Sequence, residues 1–366
     1  MSETRIVVTG RGVRSPLGCD WPSFSQAVRD GHAAPVAPFP NGGGSDSVLC
    51  HLLSEPLEPD GARPAQRGEP LAALATATVR DALADARGAH GDRPLDDVGL
   101  VMNTVFGPST AVEAYLERLR ERGPRAARPA LFVDTLLSMP ASRVGIALGL
   151  RGSTAVLGGS SALELAFDWL RAGRDHTVVA GGAEYQSPKC LRYYDALAAR
   201  SGAERPRLAQ AGAFLVLDTS SRAETRGARP YAELLGAGAA SEPQEVALPW
   251  SADPEGRAQA AAMRGALADA GIEPGAVQSV ALAAGDDASE AGELAALHAV
   301  FGARAGSLRI LRPKRLAGEA LGASASLSVL MTLADRHGAD ERAITVVNAF
   351  EMGGAASSVV VRPMAP

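Results

Sequence analysis

Large rings are scarce in this chain, with aromatic residues making up 4% of its 366 residues. Its core must therefore come from aliphatic side chains and close backbone approach, for which 40 glycines and abundant alanine provide. Cysteine is nearly absent. Cys19, Cys50 and Cys190 are scattered, which excludes a disulfide framework and any metal site of the usual cysteine spacing. Positive charge is not in excess: the net charge of −5 argues against non-specific nucleic-acid binding, which needs a basic face. No apolar run reaches membrane-spanning length, and the opening Met-Ser-Glu-Thr-Arg has no apolar targeting segment. The expectation is a soluble, cytoplasmic protein.

What is present is the material of a sizeable globular core, with 46% hydrophobic and 21% charged residues. The length suits two domains or one large duplicated one. Residues 5–9, "DVGLVMNTV", "STAVL", "HTVVAGGAE" and "GAFLVLD" read as strands, separated by helical patterns such as "LAALATATVRDALADA" and "TAVEAYLERLRERG". After Asp218 the same grammar returns, with strands in "RGARPYAELLGAG", "VQSVALAAG", "ITVVNAF" and "SSVVVRP". Alternating strands and helices predict an α/β fold with a largely parallel sheet. "SALELAFDWLRAG" reads as a helix apolar on nearly every side. With the Gly/Ala/Ser/Leu-rich "LGASASLSVLMTLADR" it suggests a buried helix pair between two sheets, one helix per half. The expected division is 1–218 and 219–366, with residues 34–70, rich in Pro, Gly and Ser, as a surface excursion.

The stretch "STAVLGGSSALELAF" runs from strand through a tight turn into a helix N-terminus, a way to display a nucleophile. Ser160 and Ser161 are the available candidates; turn and helix-capping roles outweigh a nucleophilic one. "TGRGV" offers Gly-x-Gly but lacks the third glycine of a dinucleotide fingerprint, and Ser15-Pro16 interrupts the required helix. Arg118, Arg120, Arg122, Arg125 and Arg128 read as a solvated face ahead of a docking site for an acidic carrier protein. The six histidines sit beside polar or loop sequence and are expected at the surface.

Six segments, in order, resemble the β-ketoacyl synthases of the thiolase fold. They are "IVVTGRGVRSPLG", "VVAGGAEYQSP", "ERPRLAQAGAFLVLD", "RGARPYAELLGAG", "RPKRLAGEALGASASL" and "NAFEMGGAASSVVV". The resemblance implies two duplicated βαβαβ halves in a five-layered α-β-α-β-α sandwich, with no cofactor and no metal. It also implies decarboxylative condensation on a carrier-bound acyl chain. That chemistry needs a thiolate nucleophile and two neutral imidazoles that hold the developing oxyanion, with a lysine behind one of them.

At each reactive position the chain departs from the pattern. Counting forward through the turn puts Ser161 at the cysteine position and counting backward puts Val156 there; no cysteine lies between 156 and 161. Ala284 stands where the first histidine belongs, and Glu319 replaces the second. Glu319 is expected to pair with Lys314 or Arg315; Lys314 matches the family lysine. Met352 takes the place of a gating phenylalanine. This pattern resembles the chain-length factor of type II polyketide synthases, a non-condensing subunit paired with a Cys-bearing ketosynthase and served by an acyl carrier protein. The resemblance then makes "STAVL" the pairing strand of the dimer. It also makes Phe106, Tyr115, Leu116, Leu119, Leu131 and Phe132 candidates for flooring the partner's acyl tunnel. An acyltransferase or hydrolase using Ser160 or Ser161, and a non-catalytic acyl-binding homodimer, are the competing readings.

Overall fold

A computed structural model of the chain describes residues 4–39, 48–57, 69–87, 97–159, 161–201, 206–241, 253, 255–335, 343–350 and 353–364. Twelve strands are found among them: β1 (Ile6–Arg14), β2 (Ala37–Pro38), β3 (Leu49–Cys50), β4 (Val98–Asn103), β5 (Thr154–Leu157), β6 (Thr177–Glu184), β7 (Ala211–Thr219), β8 (Ala232–Ser241), β9 (Val277–Ala281), β10 (Arg309–Leu311), β11 (Ile344–Phe350) and β12 (Ala355–Pro363). Ten of these form one hydrogen-bonded ribbon in the order β10-β9-β11-β12-β8-β1-β7-β6-β4-β5.

The ribbon is two copies of one pattern. Read outward from its centre, the first half runs β1-β7-β6-β4-β5 and the second β8-β12-β11-β9-β10. Each half therefore places its first, fifth, fourth, second and third strands in that order. In each, the two inner pairings are antiparallel and the two outer ones parallel. Three residue pairs of β1 and β8, Ile6↔Leu234 to Val8↔Ala232, join the halves. The sheet is thus mixed where the sequence pattern predicts a largely parallel one. The reason is that β6–β7 and β11–β12 follow each other with antiparallel return, which apolar content alone does not distinguish from a parallel crossover.

Helices cover the ribbon in layers. Pro70–Arg87 and Met139–Leu148 pack on the outer face of the first half, and Arg257–Asp269 and Asp287–Phe301 on that of the second. Between the half-sheets, a central core takes side chains from both halves around Ala162–Arg171 and Ser324–Ala334. Every residue of Ser324–Ala334 is buried. Burying Leu327, Leu330 and Leu333 there contributes roughly 2 kcal/mol each. Two of its hydroxyls are absorbed within the helix, Ser328 donating to the Ser324 carbonyl at 2.8 Å and Thr332 to that of Ser328 at 2.9 Å, while Ser326 donates to the Ala213 carbonyl of β7 at 2.8 Å. The helix Ala162–Arg171 is one-sided instead. It buries Ala162, Leu163, Ala166, Phe167 and Leu170 and turns Asp168 and Arg171 to solvent.

The Gly-x-Gly of "TGRGV" has a packing role. A Cβ on Gly10 would lie 2.4 Å from the Ala82 carbonyl oxygen, and one on Gly12 2.2 Å from that of Thr78. Strand β8 repeats the device: Gly236 and Gly238 meet the carbonyls of Ala266 and Ala262 at 2.6 and 2.5 Å. Of the segment 34–70, residues 40–47 and 58–68 lie outside the described residues. Cys50 is fully buried in an apolar cluster, and Glu69 is buried at the start of the helix it caps. No helix among the described residues is long and apolar enough to cross a membrane.

Candidate functional site

The loops after β9, β4 and β6 meet the segment 313–324 at one end of the sheet. A Cβ on Gly182 of β6 would lie 2.0 Å from the Gly322 carbonyl oxygen, and one on Gly322 2.7 Å from the Thr104 Cα. Only backbone without side chains permits such contact. A Cβ on Gly285 would sit 3.2 Å from the Lys314 Cβ. Positions 284, 314 and 319 are therefore neighbours in space.

Past β9 the chain runs through Leu282–Gly285 to Asp286, which caps the helix Asp287–Phe301 by accepting from the Ser289 N–H at 3.0 Å. Glu293, on the second turn, reaches back. Its carboxylate accepts from the Ala283 and Ala284 N–H groups at 2.9 and 2.8 Å and from the Asn348 amide at 2.7 Å. Burial raises its pKa, against the pull of these donors. Glu293 thus fixes the backbone at position 284, where the side chain is a single buried methyl.

Lys314 lies on the short helix Pro313–Ala317, which ends at Gly318 with φ +81°. A Cβ at Gly318 would stand 2.3 Å from the His51 ring, so only glycine fits. Beyond it, the Lys314 Nζ lies 2.6 Å from Glu319 Oε2, with both side chains 9% exposed. The other oxygen, Oε1, accepts from the Leu321 N–H at 2.9 Å and the Ser324 hydroxyl at 2.8 Å. The segment 207–209 pins this residue's backbone, through Glu319 N–H to the Arg207 carbonyl and Ala209 N–H to the Glu319 carbonyl, each at 2.8 Å. Both carboxylate oxygens are engaged. An ion-paired carboxylate is an acceptor only and has no hydrogen to give a developing oxyanion. Lys314 is one of two lysines among 36 basic residues, a bias toward arginine that makes its retention here a usable sequence signal.

At the ends of β4 and β6, Glu184 is fully buried and accepts from the Val105 N–H and, at 3.1 Å, the Thr104 hydroxyl. Burial pushes its carboxyl up to about 7. Val156 pairs with Met102 along β5, and its side chain packs on the outer-layer core. Ser161 is the N-cap residue of Ala162–Arg171, without a side-chain capping bond. Ser160 and Met352 lie outside the described residues. His51 is only partly exposed: its ring lies against Gly318, with Nδ1 3.1 Å from the Pro35 carbonyl oxygen.

The six tunnel candidates separate. Phe106 turns into its own chain, against the cluster of Cys50, Leu191, Tyr194, Leu208 and Leu321. Tyr115 packs on Phe132 with ring centroids 5.9 Å apart, and Leu119 is half-buried. Leu116, Leu131 and Phe132 are exposed at 55, 39 and 50%. Val133, Leu136, Leu137 and Ile146, the last 81% exposed, are further exposed apolar side chains in the same stretch of chain. The run Leu131-Phe132-Val133 with Leu136-Leu137 was their visible signal. Beside it, β5 ends the ribbon as an edge strand. Arg120, Arg122, Arg125 and Arg128 are exposed, while Arg118 donates to the Ala126 carbonyl at 2.9 Å.

Comparison with known proteins gives matches across most of the chain. Residues 54–228 match the beta-ketoacyl synthase N-terminal domain and residues 231–346 the C-terminal domain. The 3-oxoacyl-[acyl-carrier-protein] synthase 2 of Staphylococcus aureus is 25% identical, covering 90% of this chain and 84% of the relative. Nodulation protein E of a Rhizobium species is 27% identical, covering 90 and 85%. Among solved structures, the ishigamide ketosynthase/chain length factor superposes with TM-score 0.84 at 22% identity, covering all of both chains. A type II PKS acyl-carrier protein in complex with its ketosynthase gives TM-score 0.83 at 20% identity, covering 99% of this chain and 100% of that one. At these identities the structural likeness establishes a thiolase-like ketosynthase fold.

Proposed function

The chain belongs to the β-ketoacyl synthase family, and we propose that within it this is a non-condensing, chain-length-factor-like subunit that pairs with a Cys-bearing ketosynthase. The observation that carries the reading is the Lys314–Glu319 pair, with both carboxylate oxygens bonded, at what the family resemblance makes the second imidazole position. With Ala at 284 and no cysteine from 156 to 161, the chain has neither acyl acceptor nor oxyanion donors from those positions. The sequence relatives named as synthases share the fold and much of the chain, so the reading rests on these positions and not on overall likeness.

Such a subunit acts through its surface. The edge strand β5 and the exposed apolar side chains between Leu116 and Ile146 are what a partner of the same fold would cover, by continuing the sheet and burying those side chains. Leu116, Leu131 and Phe132 are the candidates to reach the partner's acyl tunnel and limit its length. The substrate in this reading is a growing polyketide chain on an acyl carrier protein, held by the partner. For the acyltransferase alternative, Ser161 is an N-cap residue without a side-chain capping bond, and Ser160 lies outside the described residues.

The test is intact mass spectrometry of this chain co-purified with its ketosynthase after exposure to an acyl-carrier protein bearing an acyl group. The expected acyl adduct is confined to the partner. An adduct on this chain refutes the proposal.

A further inference from the structure

We infer that a proton on Glu69 holds the partner-facing stretch in shape, through competition between Glu69 and Asp134 for Arg143. The inference rests on the proposed pairing with a ketosynthase and adds how that pairing is regulated. Asp134 is the C-cap residue of the short helix Pro129–Val133, which carries the exposed Leu131 and Phe132. Arg143 lies on the helix Met139–Leu148, three residues before the exposed Ile146. An ion pair from Arg143 Nη2 to Asp134 Oδ1 spans the loop between these helices, where Leu136 and Leu137 are exposed. The pair therefore clasps together the two helices that bound the exposed apolar loop.

A second carboxylate lies in the field of the same arginine. Glu69 is buried at the start of Pro70–Arg87, whose Leu71, Leu74 and Ala75 share a core with Ala141 and Val144 of the Arg143 helix. Its Oε2 accepts from the Ala72 N–H at 2.9 Å. Its Oε1 is buried without a hydrogen bond among the described residues, and so is Arg143 Nε. A buried acceptor and a buried donor are thus left unused, where such groups are ordinarily bonded. Arg143 favours the Glu69 carboxylate and Asp134 opposes it, while Tyr185, in the loop after β6, is acted on by the Glu69 charge. Burial outweighs the arginine and lifts the Glu69 carboxyl to about 7. Protonated, Glu69 carries no charge and leaves Arg143 to Asp134. When it gives its proton to water, the carboxylate offers Oε1 to the unused Nε–H, and the guanidinium is divided between two carboxylates. The hold on Asp134 weakens and the loop bearing Leu136 and Leu137 loosens.

A carboxyl titrating near 7 is about nine-tenths protonated at pH 6 and about one-tenth protonated at pH 8. Only the clasped form is competent, so apparent affinity for the ketosynthase should fall about tenfold between these pH values, as the competent fraction does. Surface plasmon resonance on the immobilised ketosynthase reads the change. Glu69→Gln, isosteric with the protonated acid, should bind equally at both pH values, with the parent's affinity at pH 6. Asp134→Asn, which opens the clasp outright, should bind at pH 6 as weakly as the parent does at pH 8. Backbone hydrogen exchange of the chain alone, corrected for the intrinsic rate, should be faster over residues 131–139 at pH 8 than at pH 6. In Glu69→Gln the two corrected rates should agree. A parent affinity or exchange rate that does not change with pH, or a change that persists in Glu69→Gln, overturns the inference. Absence of ketosynthase binding at every pH refutes the pairing instead, and the exchange comparison then decides the clasp by itself.

Discussion

Glu319 is the residue on which the site turns, because one carboxylate organises an ammonium, a hydroxyl and a backbone N–H. Removing one member of a buried pair leaves the other charge uncompensated, at a cost of about 3–5 kcal/mol. Glu319→Ala should therefore lower the urea midpoint strongly, whereas Lys314→Met with Glu319→Gln together should cost much less. Glu184 offers a second residue-scale test. Its carboxyl is pushed up to about 7 by burial, from a model-compound value of 4.5. The folded state then binds the proton more tightly than the unfolded chain, so stability is full below about pH 4.5 and falls as pH rises toward 7. The loss attributable to this group is about 3 kcal/mol over that window. Glu184→Gln, isosteric with the protonated acid, should flatten the decline, as read from urea unfolding at pH 5, 6 and 7. Glu69, also raised to about 7 by burial, contributes a remaining slope of the same sign.

At the scale of elements, the informative feature is a boundary. Strand β5 has a neighbour on one side only, and the helix Met139–Leu148 beside it buries Pro140, Ala141 and Val144 while exposing Ile146. Charging that position leaves the chain's own packing untouched. Ile146→Glu should keep the circular dichroism and thermal midpoint of the parent but weaken capture of the ketosynthase at least a hundredfold, measured by surface plasmon resonance. Retained affinity would move the interface elsewhere. Element positions were legible from the alternation of β-branched runs and helical spacing, as in "HTVVAGGAE" for β6 and "ITVVNAF" for β11. Strand direction was not. The runs in β6 and β7 are buried throughout, and a strand buried on both faces has the same composition whichever way its neighbour runs.

For the whole molecule, the duplicated topology brings the end of β4 and strand β6 of the first half against Gly322 of the second. It also leaves one apolar face outside. If that face sets product length, replacing Phe132 or Leu116 by alanine should lengthen the polyketide by whole two-carbon units, with the complex intact by size-exclusion chromatography. Phe106→Ala should leave length unchanged, because its side chain packs inside its own chain. Product analysis by liquid chromatography with mass detection separates the two outcomes.

In the proposed reading, the sequence by itself determined which reactive groups are missing. The absence of cysteine from 156 to 161, Ala284, Glu319 and the retained Lys314 are identities, and identity decides whether a group can donate a proton or accept an acyl chain. It also determined the order of elements, because hydrophobic periodicity is local. Only the tertiary structure decided where those groups point. Glu319 meets Lys314, Leu321 and Ser324; Phe106 turns inward while Phe132 faces out; and the half-buried His51 ring lies against Gly318. These outcomes depend on contacts between segments up to hundreds of residues apart, formed by packing and by the few positions where glycine lets two backbones touch.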